Sequence, residues 1–282
     1  MILVTGATGN VGRPLVAQLL EKQAKVRAVT RDPQAGRLPE EVDVVGGDLG
    51  SPQSLADSLD GVSAVFLNPA AIGDSSSEFL ALAAARGVER VVLLSSASVG
   101  DEPAAEDDPL ALWHQHIEAA VRASGLKWTI LRPVEFASNV LQQWTPQIRQ
   151  AGMVFEVYSQ ATTALIHERD IAAVAAQTLL SDEHAGQTYL LTGPQSLTRA
   201  QMLATVAETL GRPVAIQDVS REQALEAMVT SGFPQPIAES ILKLQQQSVG
   251  HDAYVSDAVE RITGRPALTF SEWTQDHAAD LG

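Results

Sequence analysis

The 282-residue chain reads as an α/β protein, a doubly wound parallel sheet with a smaller C-terminal lobe. Three observations predict this. Short runs rich in Val, Ile and Leu alternate with longer helical patterns through the first half, the sequence sign of βαβ units and buried parallel strands. A glycine-rich turn follows the first such run at once. Beyond residue 135 the alternation loosens, and the length leaves room for one large domain with an appendage.

The elements follow in order. Ile2 to Thr5 is the first strand and Arg13 to Lys22 a helix, with Lys25 to Thr30 and Val42 to Gly46 as the next two strands. Ser54 to Leu59 reads as helical after the turn residues Ser51 and Pro52. Ala64 to Leu67 is the fourth strand, Glu78 to Arg86 a helix, and Arg90 to Ser95 the fifth strand. Leu112 to Ser124 is helical and Trp128 to Arg132 makes a sixth strand. In the second half Ala164 to Ile166 and Thr188 to Thr192 read as strands. Ile171 to Leu180, Arg199 to Leu210, Glu222 to Thr230, Pro236 to Gln247 and Ser271 to Asp280 read as helices. The expected division is a first domain over 1–150 and a lobe over 151–282, with 164–192 packing back on the main sheet. The acidic, proline-containing segment from Asp101 to Pro109 reads as a mobile loop, because like charges and prolines resist packing.

Composition excludes several function classes. A net charge of −15 argues against nucleic acid as a partner, since tracking phosphates needs a basic face. The absence of cysteine removes disulfides, thiolate catalysis and Cys-ligated metals. His167, His184, His251 and His277 show no metal-ligand spacing, so no metal is expected, and no G-x-S-x-G motif points to a hydrolase. Apolar runs such as Val91 to Leu94 have strand length, and no signal-peptide pattern is present. The expectation is a cytoplasmic protein with no membrane partner, with a homodimer left open. Residues 1–39 nevertheless carry a net charge of +4, which suits a site for an anionic ligand.

The strongest motif is Thr5-Gly6-Ala7-Thr8-Gly9-Asn10-Val11-Gly12, glycines spaced G-x-x-G-x-x-G between a strand and a helix. Gly6 permits the tight turn, Gly9 lets the backbone approach a pyrophosphate, and Gly12 allows close helix packing. The helix N-terminus offers free N–H groups and a partial positive charge to phosphates. Gly6, Thr8, Gly9, Asn10, Val11 and Gly12 are therefore the expected cradle of a dinucleotide on a Rossmann-like sheet. At the end of the second strand, where the adenosine ribose would sit, Arg31 is able to pair with a 2′-phosphate, while Asp32 keeps the 2′-hydroxyl reading open. The cofactor is thus NADP or NAD, with NADP favoured.

Taken together, Val4-Thr5-Gly6-Ala7-Thr8-Gly9, Ala28-Val29-Thr30-Arg31-Asp32-Pro33 and Gly47-Asp48-Leu49 resemble the NmrA-like group of atypical short-chain dehydrogenase/reductases. Thr129 to Phe136 followed by Asn139, Ile166 to Ala172, Leu191 to Pro194 and Thr263 to Pro266 extend the likeness over essentially the whole chain. The resemblance implies that Asp48 and Leu49 contact the adenine and that Asn68 and Pro69 line the nicotinamide ribose. It also implies that Ser95 and Ser96 lie beside the nicotinamide, and that Pro133 and Val134 back the ring.

Typical members of the superfamily use Tyr-x-x-x-Lys on the helix after the fifth strand. Here the tyrosines are Tyr158, Tyr189 and Tyr254, and Lys127 falls after that helix. The helix carries His114 and Glu118 at i,i+4 instead, hence on one face. Together with Ser96 they are the candidate catalytic groups, the carboxylate positioning the imidazole and favouring its protonated form. His114 either donates a proton to substrate or touches the nicotinamide ribose. An ordinary ketone needs an acid near the developing alkoxide, whereas a quinone yields a delocalised phenolate for which positioning is enough. The expected activity is therefore NAD(P)H-dependent reduction of a quinone-like or aromatic polyketide-like small molecule by hydride transfer. The alternative is a non-catalytic redox sensor. Phe136, Asn139, Trp144, Phe155 and Phe233 are the expected substrate contacts, an apolar set with one polar group.

Overall fold

The computed structural model describes residues 1–30, 38–48, 50–100, 104–105 and 108–282. Arg31, Leu49 and part of the acidic segment 101–109 lie outside the described residues. The chain starts with a fully buried strand β1 (Ile2–Thr5), turns at Gly6 and enters helix α1 (Gly12–Glu21). Strands β2 (Val26–Thr30), β3 (Asp43–Gly46), β4 (Ala64–Leu67), β5 (Arg90–Leu94) and β6 (Lys127–Pro133) follow. Between them lie the short α2 (Pro69–Ile72), α3 (Ser76–Ala85) and α4 (Pro109–Ala123). Residues 54–59, expected to be one helix, fall in two short 3-10 turns, Pro52–Leu55 and Asp57–Leu59. So short a segment cannot repay helix nucleation, and it anchors itself through buried Leu55 and Leu59.

After β6 come α5 (Asn139–Gln143), α6 (Thr145–Ala151), β7 (Met153–Glu156), β8 (Thr162–Thr163), α7 (Glu168–Leu180) and β9 (Gln187–Leu191). The chain ends with β10 (Leu197–Thr198), α8 (Arg199–Leu210), β11 (Ala215–Asp218), α9 (Arg221–Thr230), α10 (Gln235–Ser248), α11 (Ala258–Thr263), α12 (Phe270–Asp276) and α13 (Ala278–Leu281). Seven strands form the main sheet in the order β3-β2-β1-β4-β5-β6-β9, every neighbouring pair parallel. The strand expected at Ala164 to Ile166 is displaced. Thr162–Thr163 pairs antiparallel with β10, and Ile166 makes a single bridge to Phe136. The parallel β7–β11 pair and α11 carry no sequence pattern distinct enough to have been expected.

Period-2 alternation sorts the strand side chains into two core layers. Val4, Ala28, Phe66, Val92 and Leu131 join Leu15 and Leu19 of α1 and Ile171 and Val174 of α7 on one face. Leu3, Val29, Val65, Leu93 and Ile130 join Phe79 of α3 and Ile117 and Val121 of α4 on the other. Phe66 and Phe79, fully buried on opposite faces, each contribute about 1.5–3 kcal/mol of burial. A third cluster, Ala137, Val140, Trp144, Ile148, Val154, Met202, Val206, Phe270 and Trp273, forms the core of the lobe beside the sheet. α5, which precedes residue 150, and α6, which runs across it, pack in this lobe.

Because β5 and β6 are parallel, α4 must begin beyond the carboxyl end of β5 and run back toward the start of β6. Its first turns therefore project past the carboxyl edge of the sheet. The glycine turn, Asn68 and the segment after Pro133 emerge at the same edge, where ligands of open α/β sheets bind.

Candidate active site

The glycine turn leaves its backbone open on one side. Gly6 has φ +65°, and a Cβ there would stand 2.7 Å from Asn68 Nδ2. Gly12 is demanded by packing: its Cβ would fall 2.1 Å from Gly6 O and 2.7 Å from Ala7 Cα. At Gly9, by contrast, the nearest atom is Gly6 O at 3.2 Å, so the turn is open on that side. Gly9 N donates to Gly6 O and Arg13 N to Gly9 O, while the amides of Asn10, Val11 and Gly12 meet no acceptor among the described residues. α1 has neither a side-chain cap nor an acidic residue in its first turn, so its positive end is left for an anion. The Val11 side chain is core, which leaves its backbone N–H as the group facing a ligand. Asn10 Nδ2 donates to Ser138 Oγ at 3.2 Å, tying this turn to the segment that follows β6. A pyrophosphate fits these residues.

Two further groups stand on the neighbouring strand ends. Thr5 Oγ1 donates to Phe66 O at 3.0 Å and accepts from Asn68 N at 2.7 Å, joining the ends of β1 and β4. Asn68 Oδ1 caps α2 by accepting from Ala70 N at 3.1 Å, and buried Pro69 opens that helix. Asp48, exposed after β3, accepts from Gly50 N through Oδ1 at 3.0 Å. On the far side Ala97 N donates to Pro133 O at 2.9 Å and Val134 N to Leu191 O at 3.0 Å, which holds Pro133 and Val134 beside the 95–98 loop. Ser96 Oγ accepts from the amide and the hydroxyl of Ser98, at 3.1 and 3.0 Å.

Glu118 plays a different part from the one expected. Its side chain is 0% exposed and both oxygens are engaged. Oε1 accepts from Ser95 Oγ at 2.6 Å and Arg132 Nε at 2.9 Å, and Oε2 from Arg132 Nη2 at 2.8 Å and Arg122 Nη1 at 2.9 Å. Ser95 thus turns toward α4 rather than toward a ring at the sheet edge. Burial tends to raise the Glu118 pKa, but the bonds from Arg132 and Ser95 and the charges of Arg132 and Arg122 outweigh it, so the carboxylate stays ionised. Arg132 also reaches Gly100 O through Nη1 at 3.3 Å, bracing the loop after β5. This arginine was missed in the sequence, where the signal was a charge at the end of the otherwise uncharged strand Trp128 to Arg132.

His114 lies one turn of α4 beyond Glu118, about 6 Å further past the sheet edge. Burial lowers its pKa from 6.5 to about 4, and the opposing attraction of Glu118 is too weak to reverse this. The expected protonated pair is therefore corrected to a neutral imidazole, because the carboxylate is spent on two arginines and a serine. Nδ1 of His114 is buried and has no hydrogen-bond partner among the described residues.

Of the expected substrate contacts, Phe136 and Asn139 follow β6 at the edge. Phe136 bridges Ile166, and Asn139 N donates to Phe136 O at 3.1 Å. Trp144 does not join them. It is 1% exposed in the lobe core, its Nε1 donating to Glu156 Oε1 at 2.5 Å under the guanidinium of Arg199. Phe155 is 42% exposed on β7, opposite to Val154 and Glu156, which face the lobe core. Phe233, 41% exposed, lies in the turn between α9 and α10. Buried Arg199, whose Nη1 donates to both oxygens of Glu135 at 3.0 and 3.1 Å, ties the segment after Pro133 to the lobe. No local pattern announces that role.

Comparison with known proteins agrees with this geometry. Residues 6–182 match the model of an NAD(P)H-binding family. The chain is 39% identical to (4-alkanoyl-5-oxo-2,5-dihydrofuran-3-yl)methyl phosphate reductase of Streptomyces griseus, over 99% of this chain and 98% of the relative. It is 35% identical to NAD(P)H azoreductase of Xenophilus azovorans, over 100% of this chain and 99% of the relative. The structure of an NADPH-dependent quinone oxidoreductase from Escherichia coli in complex with NADPH superposes with a TM-score of 0.82 at 24% identity. That likeness covers 99% of this chain and 100% of the other, and shows a common fold. The chain belongs to the NAD(P)H-binding family, as an NAD(P)H-dependent oxidoreductase of the NmrA-like, atypical short-chain dehydrogenase/reductase class that lacks Tyr-x-x-x-Lys.

Proposed function

We propose that the chain reduces a quinone-like or aromatic polyketide-like small molecule at the carboxyl edge of its sheet. The observation that carries this reading is the occupant of the usual acid position: where Tyr-x-x-x-Lys would stand, α4 presents a neutral His114 over a charge-locked Glu118. A site without a strong acid suits acceptors whose reduced form is a delocalised anion. The names of the relatives, acting on an oxo-dihydrofuran, azo compounds and quinones, belong to that chemical class.

The nicotinamide supplies a hydride when bound. The protein's own residues bind and orient: the amides of Asn10, Val11 and Gly12 hold the pyrophosphate, Asn68 and Pro69 the ribose, and Pro133 and Val134 back the ring. Asp48 and Leu49 take the adenine, and Arg31 favours NADPH through the 2′-phosphate. Phe136 and Asn139 lead from the ring into the lobe, which we take to comprise α5, α6 and the later segments other than α7, β9 and α11, which pack with the main sheet, and Phe233 borders it. Among the described residues no helix is long and apolar enough to cross a membrane. We place the reaction in the cytoplasm, and sedimentation would show whether the acting species is a homodimer. The test is steady-state oxidation of NADPH against a panel of quinones, azo dyes and unsaturated lactones. Saturation in both substrates supports the reading; tight NADPH binding without turnover on any acceptor replaces it with a redox sensor.

A further inference from the structure

We propose that His114 acts as an uncharged hydrogen-bond donor, its Nε2–H held toward the carbonyl oxygen of a conjugated acceptor, while the proton that completes the reduction comes from water. This deepens the proposed function and rests on it.

Three features of the structure lead here. An imidazolium needs acceptors for both ring N–H groups, and Nδ1 of His114 is buried without one among the described residues, so the cation would carry an unpaired buried donor there. The carboxylate on the same helix face is not available to compensate, since both Glu118 oxygens already accept from Ser95, Arg122 and Arg132. The edge of the Trp113 ring, 4.7 Å from the imidazole by centroids, shields it further. Nε2 is then the nitrogen left to meet a ligand, at the height past the sheet edge where α4 overhangs the strand ends. The depressed pKa agrees with this reading.

A neutral imidazole cannot serve as a proton donor in the ordinary sense, because losing its N–H would leave a strongly basic anion. It can stabilise charge that develops on oxygen without transferring anything. The acceptor takes a hydride with its two electrons from the reduced nicotinamide. A carbon–hydrogen bond breaks on the dihydropyridine, a bond to hydrogen forms on the acceptor, and the nicotinamide is left oxidised. The acceptor's π pair moves to oxygen as an enolate or phenolate, which His114 holds until water protonates it. A saturated ketone gives a localised alkoxide that this arrangement cannot discharge. The substrate class is thus restricted to carbonyls conjugated with a second unsaturation.

The experiment compares wild type, His114→Phe and His114→Gln on a quinone, an α,β-unsaturated lactone and its saturated counterpart, with NADPH binding measured by calorimetry. Phenylalanine should lower kcat on the conjugated acceptors by about 10²-fold with NADPH affinity kept. Glutamine, which restores a neutral N–H, should recover most of that loss, and the saturated carbonyl should not be reduced. Glutamine as inactive as phenylalanine would make His114 a proton-transfer group and overturn the proposal, as would a fully active phenylalanine variant. A wild type without turnover on any conjugated acceptor fails earlier, at the proposed function itself.

Discussion

The neutral state of His114 has a thermodynamic signature that does not depend on knowing the substrate. In the unfolded chain its imidazole gains a proton as the pH falls through about 6.5, the ordinary value. In the folded protein burial delays this to about 4. Between those limits the unfolded state binds more protons, so stability rises with pH: the His114 penalty is absent above about 6.5, grows down to about 4, and changes no further below it. A shift from 6.5 to about 4 at 1.36 kcal/mol per unit amounts to about 3 kcal/mol, an upper figure because the ring keeps some contact with water. His114→Gln removes this titration while Glu118, Glu168 and the other carboxylates remain common to both proteins and cancel. Urea unfolding followed by circular dichroism at pH 7, 6, 5 and 4 should show the wild type losing about 2–3 kcal/mol relative to the variant across that range. Parallel curves would refute the buried neutral imidazole. A relative gain for the wild type at low pH would restore the His114–Glu118 ion pair that the sequence pattern invited.

Replacing Gly9 by valine should abolish NAD(P)H binding with the fold intact, because a Cβ meets only Gly6 O at 3.2 Å and the added methyls fill the space above the open amides; unchanged affinity by calorimetric titration would remove the cofactor site from this turn. Glu118→Ala should destabilise the protein by about 2–3 kcal/mol, the cost of removing the carboxylate that buried Ser95 and half-buried Arg132 bond to, and a thermal melt within 1–2 °C (~0.5 kcal/mol) of wild type would contradict that. Arg31→Ala should weaken NADPH by about 2 kcal/mol and barely touch NADH; equal losses would move Arg31 to the adenine face or the shared phosphates.

Which features were legible in the sequence follows from how far apart their causes lie. β1 and α1 are fixed by neighbours: Ile2 to Val4 is apolar without interruption, and the glycine spacing dictates the turn and the helix start within eight positions. The parallel sheet is nearly as plain, since a strand buried on both faces shows itself as a run such as Val91 to Leu94. The 3-10 turns at 52–59 were misread because Leu55 and Leu59 repeat with helical spacing, whatever the hydrogen-bond ladder does. The small β7–β11 pair hid for the opposite reason: β11 is exposed at every position, so no hydrophobic period marks it.

The face of α4 that carries His114 was harder, and Glu118 shows why. Helical periodicity put it on one face with His114, and the pairing was then supplied from chemical affinity. The carboxylate had three stronger claimants: Ser95, 23 positions earlier, and Arg132, 14 positions later, which no local pattern connects to it, and Arg122 at i,i+4, one turn below. Two of the three arrive only when β5 and β6 pair in register, with Leu94 opposite Leu131. A buried carboxylate surrounded by two arginines offers its neighbour little net charge, so desolvation decides the state of His114. The sheet register thus determines a protonation state one helical turn away. It is this coupling that turns a candidate acid into a donor suited to acceptors able to carry their own negative charge.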